Sequence, residues 1–286
     1  MKNALLYVNM FGFILVLGAA LAEEVGDSIG KSAVVAKKES IYTFGFLMLL
    51  WSTIFLLASA FIRDNFIFSL ASLPTLGIRS VLEIAQAHVS VLAVTRADRS
   101  TYGFLRILTI PLLLVVDMVL GYTIGTYQIL GMGIIIAALV VLFINHGIKK
   151  EGAWLVVFTA INAVATISLY KYNISHFNSV EVEQVIVHAV LLVYFVAMAL
   201  LVAKENPLQF LRKPLFFGQS VTMGAASALM SFAYLFGAAS VITTVKRAAG
   251  ILWALLSGNL YFQEKQFLVK MASFILIVIG LIFLAS

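Results

Sequence analysis

Read from its amino terminus, the chain alternates long apolar runs with short polar punctuation. The runs fall at 5–34, 41–62, 75–96, 101–122, 126–146, 152–172, 184–204, 216–238, 241–262 and 266–285. A helix needs about 20 predominantly apolar residues to cross a hydrocarbon core of about 30 Å, so the pattern predicts ten transmembrane helices. Strands are excluded because open strands would leave unpaired backbone groups in lipid. The connections are short: Arg63-Asp64-Asn65 joins the second run to the third, and His146 to Glu151 separates the fifth from the sixth. None is long enough to hold a soluble domain. The predicted fold class is an all-α integral membrane protein with one membrane domain.

Ten runs divide into five and five around Lys149-Lys150, giving halves 1–148 and 149–286. An odd number of crossings per half places the halves in opposite orientations, an inverted repeat. Helix count and hydropathy carry this expectation, with two basic markers. A shift of 140 puts Lys31 on Lys171, and a shift of 141 puts Arg106 on Arg247.

Composition agrees with a bilayer protein. Hydrophobic residues make up 62% of the chain and charged residues 11%, against about a quarter charged in soluble domains. The first run, from Leu5, lacks a small-residue cleavage site and outruns a signal core, so no cleaved signal is expected. The net charge of +6 sits at helix ends, where anionic lipid headgroups are its expected partners rather than nucleic acid. With no cysteine, disulfides, thiolate metal sites and cysteine nucleophiles are excluded. The loops after odd-numbered runs carry Lys37, Lys38, Arg96, Arg99, Lys149, Lys150, Lys204, Arg212, Lys213, Lys265 and Lys270, whereas the other side has Lys2, Arg63 and the marginal Lys171. By the positive-inside rule both termini would lie outside the cytoplasm.

The chemistry-bearing residues are those that interrupt the runs. Residues 23–31, EEVGDSIGK, place Glu23 or Glu24, Asp27 and Lys31 on one helical face at three- and four-residue spacing. A carboxylate at the bilayer centre costs roughly 2.5–3.5 kcal/mol on insertion scales, so such groups face a bundle interior or a wet cavity. The alternative is a first helix ending near Ala22, with the charges at a solvated end. The fourth run puts Arg106, Thr109, Leu113 and Asp117 on one face, with Pro111 expected to kink it. The ninth carries Lys246 and Arg247 above a small-residue face of Gly250, Ala254, Ser257 and Gly258. The third has Arg79 and Glu83 at i, i+4, read as an intrahelical pair near the membrane edge, with Gln86 and His88 beyond. Asn162 in the sixth and Tyr234 in the eighth complete the candidates. The expected assembly has Glu24 and Asp27 facing Arg106, Lys246 and Arg247 across a central cavity; the competing account is a buried ion-pair network that fixes helix registry. Histidine pairs at metal spacing and phosphate-cradling glycine loops are absent, so neither enzyme activity nor a cofactor is expected.

Residues 243–284, TTVKRAAGILWALLSGNLYFQEKQFLVKMASFILIVIGLIFL, resemble the ninth and tenth helices of the drug/metabolite transporter superfamily, of the ten-helix EamA type. Lys246, Arg247, Gly258, Glu264, Lys265 and Gly280 carry the likeness, and Lys31 and Lys171 resemble the lysine that often ends the first helix of each half. The resemblance implies a secondary transporter in a prokaryotic cytoplasmic membrane, moving a small polar metabolite by alternating access, as a monomer or homodimer. It also implies both termini in the cytoplasm, against the charge count. In that setting the cations would hold an anionic or zwitterionic solute such as an amino acid, while a carboxylate takes up a proton. The alternative is a lipid-handling or structural polytopic protein without solute transport.

Overall fold

The computed structural model describes residues 2–119, 125–145, 148–236 and 239–285. Among them there is no strand. The helices are α1 (Lys2–Val35), α2 (Ile41–Arg63), α3 (Leu73–Arg96), α4 (Arg99–Leu105), α5 (Thr109–Val119), α6 (Thr126–Ile144), α7 (Ala153–His176), α8 (Val180–Met198), the short α9 (Pro207–Phe210), α10 (Pro214–Ala233), α11 (Ala239–Leu260) and α12 (Phe267–Ala285). Each apolar run is thus helical over most of its described residues. Five stretches are long and apolar enough to cross a membrane: Ile41–Arg63, Leu70–Arg96, Ala153–His176, Val180–Ala203 and Pro214–Ala233.

Local chemistry explains the breaks. Ser40 and Ser179 accept from Thr43 N and Val182 N at the starts of α2 and α8, satisfying amide groups that a helix start leaves open. Between α4 and α5, Arg106–Leu108 tightens to a 3-10 turn. The ring of Pro111 excludes the carbonyl four residues earlier, that of Ile107, from the α-helical ladder, and the tighter turn takes up the difference. Gly152 has φ 71°, and a Cβ there would lie 2.7 Å from Ala97 N; only glycine lets the chain enter α7 this close to the end of α3.

Packing has a crossed pattern. α1 lies chiefly on α10 and α3 on α7, while α2 packs on α8 and α6 on α12. α1 also contacts α11, as α7 contacts the 99–119 segment. Around an apolar core, burial departs from that of a water-soluble protein in two respects. Large apolar side chains such as Ile62, Val193 and Trp154 are exposed, whereas Asp27, Arg79, Arg99, Glu183 and Arg247 are buried. An apolar circumference, with paired charges kept inside the bundle, is what a hydrocarbon solvent selects. The protein is an integral membrane protein.

The helix ends gather at two faces. At the basic face, Glu264 on the α11–α12 turn meets Ser100, Lys149 reaches Asp98, and Glu205 accepts from Ser40 N. At the opposite face, Arg63 pairs with Glu181 and Ser179 Oγ donates to Asn65 O.

Candidate functional site

Helix α1 does not end at Ala22 but runs on to Val35, which carries Glu24, Asp27 and Lys31 into the interior and leaves Val25 exposed. Two ionic groups form on it. In the first, Arg99 at the start of α4 donates through Nε to Glu24 Oε1 at 3.0 Å and through Nη2 to Glu24 Oε2 at 2.6 Å. The same Nη2 reaches Asp27 Oδ2 at 3.1 Å. Ser28 and Ser257 also donate to Glu24 Oε1. In the second, Glu23 accepts from Arg106 at 3.2 Å and from Lys246 at 2.9 Å. The Tyr102 ring separates the groups, with the Arg99 and Arg106 guanidinium carbons 5.4 and 4.8 Å from its centroid.

The expected pairing is therefore corrected. Glu23, not Glu24 or Asp27, meets Arg106 and Lys246. Consecutive residues on a helix point about 100° apart, so Glu23 and Glu24 face different neighbours. Arg99, counted above among the loop cations, is 1% exposed and is the cation that Glu24 and Asp27 share.

Arg247 is different in kind. Among the described residues no carboxylate pairs with it; its Nη2 reaches Thr109 Oγ1 at 3.5 Å, and its buried Nε has no partner. It lines a cavity of about 280 Å³ together with Glu23, Asp27, Arg106, Tyr234, Thr243 and Lys246. The lining also includes Arg79, Glu83, Gln86, Tyr170, Gln184 and Ser231, with the Tyr170 and Tyr234 ring centroids 5.8 Å apart. Its apolar lining comes from Met48, Leu49, Leu191, Phe195, Met223 and Met230. A second pocket of about 30 Å³ adjoins Glu24, Asp27, Arg99 and Arg247, room for about one water. Asp27 Oδ1 and Arg99 Nη1, which belong to residues lining it, are buried without a partner among the described residues.

Arg79 is also reassigned. Its principal partner is Glu183 of α8, at 2.7 Å, with Glu83 at 3.6 Å. It donates to Gln184 Oε1, and its guanidinium carbon lies 4.6 Å from the Tyr170 ring centroid. Asn173 and Asn178 donate to Glu183 at 2.8 and 2.6 Å, so this carboxylate is held from three sides. The intrahelical pair read from the sequence is present, and Arg79 adds to it a shorter bridge from α3 to α8.

The remaining candidates lie off the cavity. Lys31 donates to the Ala97 carbonyl and stands over the Phe262 ring. Asn162 ties α7 to α3 through Leu82 O and Gln86 Oε1, both at 2.9 Å. The Asp117 side chain lies outside the described residues. Sequence reasoning missed Arg99, Glu183, Gln184 and Tyr102. The signal for the second and third was present in Ser179-Val-Glu-Val-Glu-Gln184, an N-cap followed by an acidic first turn.

One anchor holds the first ionic group in place. Glu264, on the turn after α11, accepts from the backbone amides of Arg99 and Ser100, from Ser100 Oγ, and from Lys270 Nζ at 3.1 Å. A carboxylate on the first turn caps α4 and favours its dipole. Burial alone would raise the Glu264 pKa, but the bonds from Ser100 and Lys270 outweigh it and hold it below the usual carboxylate value.

No family model matches the chain, and no curated protein matches it.

Proposed function

We propose that the protein is a secondary transporter of a small anionic or zwitterionic metabolite, working by alternating access between two inverted five-helix halves. The observation that carries this reading is the cavity of about 280 Å³, lined from both halves, in which the buried Arg247 has no carboxylate partner among the described residues. A buried cation without a counter-ion is expensive unless a ligand supplies the charge. The volume is near the lower end of the range for small-molecule pockets, roughly 300–1,000 Å³. Its mixed polar and apolar lining suits a compact solute bearing one negative charge and some apolar surface, such as an amino acid.

The packing supports the inverted repeat. Exchanging the halves turns the α1–α10 contact into α7–α3, and leaves α2–α8 and α6–α12 unchanged. Lys31 and Lys171 support it too, since each closes on a main-chain carbonyl just after a helix, Ala97 and Tyr234 respectively. Asp27, with one oxygen unpartnered between the two pockets, is the carboxylate placed to exchange a proton during the cycle. These features fit the drug/metabolite transporter resemblance of residues 243–284.

Lipid handling is the second reading, and one observation favours it. None of residues 81–90 of α3 is buried, although Glu83, Gln86 and Ser90 face the cavity. A wall this thin would admit an amphiphile from the side. The test is the melting temperature of the purified protein against amino acids, amines, sugar phosphates, nucleosides and lysolipids. A ligand at 100 times its Kd stabilises by about 2.7 kcal/mol. A shift from one solute class that is lost in Arg247→Gln supports transport; a shift from lysolipids alone moves the assignment to lipid.

A further inference from the structure

At the basic face, the turn between α1 and α2 meets the start of α10. Glu39 on that turn is 3% exposed and Gln219 of α10 is fully buried. Gln219 Nε2 donates to Glu39 Oε1 at 3.1 Å. The remaining oxygen of each head group, Glu39 Oε2 and Gln219 Oε1, is buried and has no partner among the described residues. Both atoms are acceptors when the carboxyl is ionised, so neither can satisfy the other. Two orphaned acceptors in one buried contact would be a costly arrangement.

A single proton resolves both. A neutral carboxyl keeps Oε1 as acceptor for the amide and turns Oε2 into a donor for Gln219 Oε1, closing a two-bond acid–amide ring. We propose that Glu39 is a proton-binding site, its neutral carboxyl paired with Gln219 so as to tie the α1–α2 turn of the first half to α10 of the second.

The surroundings agree. Among the described residues no cation forms an ion pair with Glu39. Lys37 and Lys38 on its own turn are exposed, as are Lys204 and Lys213 on the α8–α10 link, and Lys213 stands over the Phe210 and Phe216 rings. The nearby charge is of the same sign: Glu205, whose Oε2 accepts from Ser40 N at 3.0 Å and Thr43 Oγ1 at 2.7 Å. Burial pushes the Glu39 carboxyl up to about 8; the Gln219 bond opposes this and Glu205 adds to it. Loss of the proton leaves a buried charge beside a second carboxylate, and the turn then has reason to leave α10. The inference goes beyond the transport reading and does not depend on what the cavity binds.

The test is infrared spectroscopy of the purified protein with a parallel melting-temperature series, across a pH range bracketing 8. The wild type is expected to show a protonated-carboxyl stretch that fades with a midpoint near 8, and Glu39→Gln to lack that component. Glu39→Gln keeps both bonds of the ring, because its amide can donate where the acid did, and should flatten the wild type's fall in melting temperature through this window. Identical spectra and identical melting profiles for the two proteins would overturn the proposal. If Glu39→Gln does not fold, the wild-type titration decides alone: no carboxyl lost in the window overturns it. A carboxyl that is lost, and whose stretch moves to the frequency of an unbonded acid in Gln219→Leu, supports it.

Discussion

Arg99 clasps Glu24 with two parallel hydrogen bonds, from Nε at 3.0 Å and Nη2 at 2.6 Å, inside a helix bundle that leaves Arg99 only 1% exposed. The fork fits the carboxylate edge-on, a geometry that lysine cannot reproduce. The clasp joins α1 to α4, and Ser257 brings in α11.

The first prediction concerns this clasp. Arg99→Gln leaves Glu24 and Asp27 in the interior without their shared cation, and breaking a buried pair costs about 3–5 kcal/mol. The variant should melt well below wild type in detergent. Arg99→Lys should fall between, since it restores the charge without the fork. Equal melting of Arg99→Gln and wild type would remove the clasp from the stabilising contacts.

Arg247 should behave in the opposite way. Among the described residues it has no carboxylate partner to strand, so Arg247→Gln is expected to keep or raise the melting temperature of the unliganded protein. Its loss should appear in solute binding instead. A charged hydrogen bond contributes about 1.5–3 kcal/mol, which is roughly a 10- to 150-fold weaker affinity. Lys246→Gln removes one of two cations from Glu23 and should lower both stability and binding. Calorimetric titration with whichever solute the melting panel identifies separates the two variants.

The halves of this site were unequally legible in the sequence. Periodicity placed Glu23, Asp27, Arg106, Lys246 and Arg247 on helix faces, because three- and four-residue spacing is local information. Arg99 was opaque. Flanked by Arg96 and Asp98 at a helix boundary, it looks like a loop cation. What draws it inward is Glu264, which caps α4 from 165 positions away. Which carboxylate meets which cation was equally hidden, since a one-residue step around α1 decides it and only the packed neighbours fix that rotation. The reach of α1 to Val35 was more accessible, through the match of Lys31 to Lys171.

Glu264 leads to a pH prediction of opposite sign to that of Glu39. Its pKa is held below the ordinary value of 4.5, so its stabilising contribution is present above that value and is lost as pH falls through the lowered one. Melting curves taken on the acid side should therefore drop for the wild type and stay flatter for Glu264→Gln, which starts lower at neutral pH. A lost helix cap typically costs about 1 kcal/mol. Parallel acid profiles would show that Glu264 is not the titrating anchor.

Gly258 tests the same anchor by shape. A Cβ at this position would sit 2.8 Å from the Glu264 carboxyl carbon, closer than real contacts allow. Gly258→Ala should push the carboxylate away from the α4 amides, with an overpacking cost of about 1–3 kcal/mol. Combined with Glu264→Gln, the two losses should add to less than their sum, because both act on one contact. Full additivity would place the effect of Gly258 elsewhere.

The absence of cysteine allows the arrangement in the membrane to be tested without background. Lys38, Lys150, Lys204 and Lys265 lie on turns of the basic face, tied together by contacts such as Lys149 to Asp98 and Ser40 N to Glu205. Asp64 and His176 lie at the opposite face, where Arg63 pairs with Glu181. Single cysteines at the first four positions should react with an impermeant maleimide from one side of a sealed vesicle only, and cysteines at the last two from the other side only. Mixed reactivity within either set would contradict ten crossings. The same labelling decides orientation. The positive-inside rule puts the lysine-bearing turns in the cytoplasm and both termini outside, whereas the drug/metabolite transporter resemblance implies the reverse. Labelling of the Lys38 and Lys265 positions in intact cells would favour the resemblance. Protection there, with reaction at 64 and 176, would show that the charge asymmetry of the loops outweighs it.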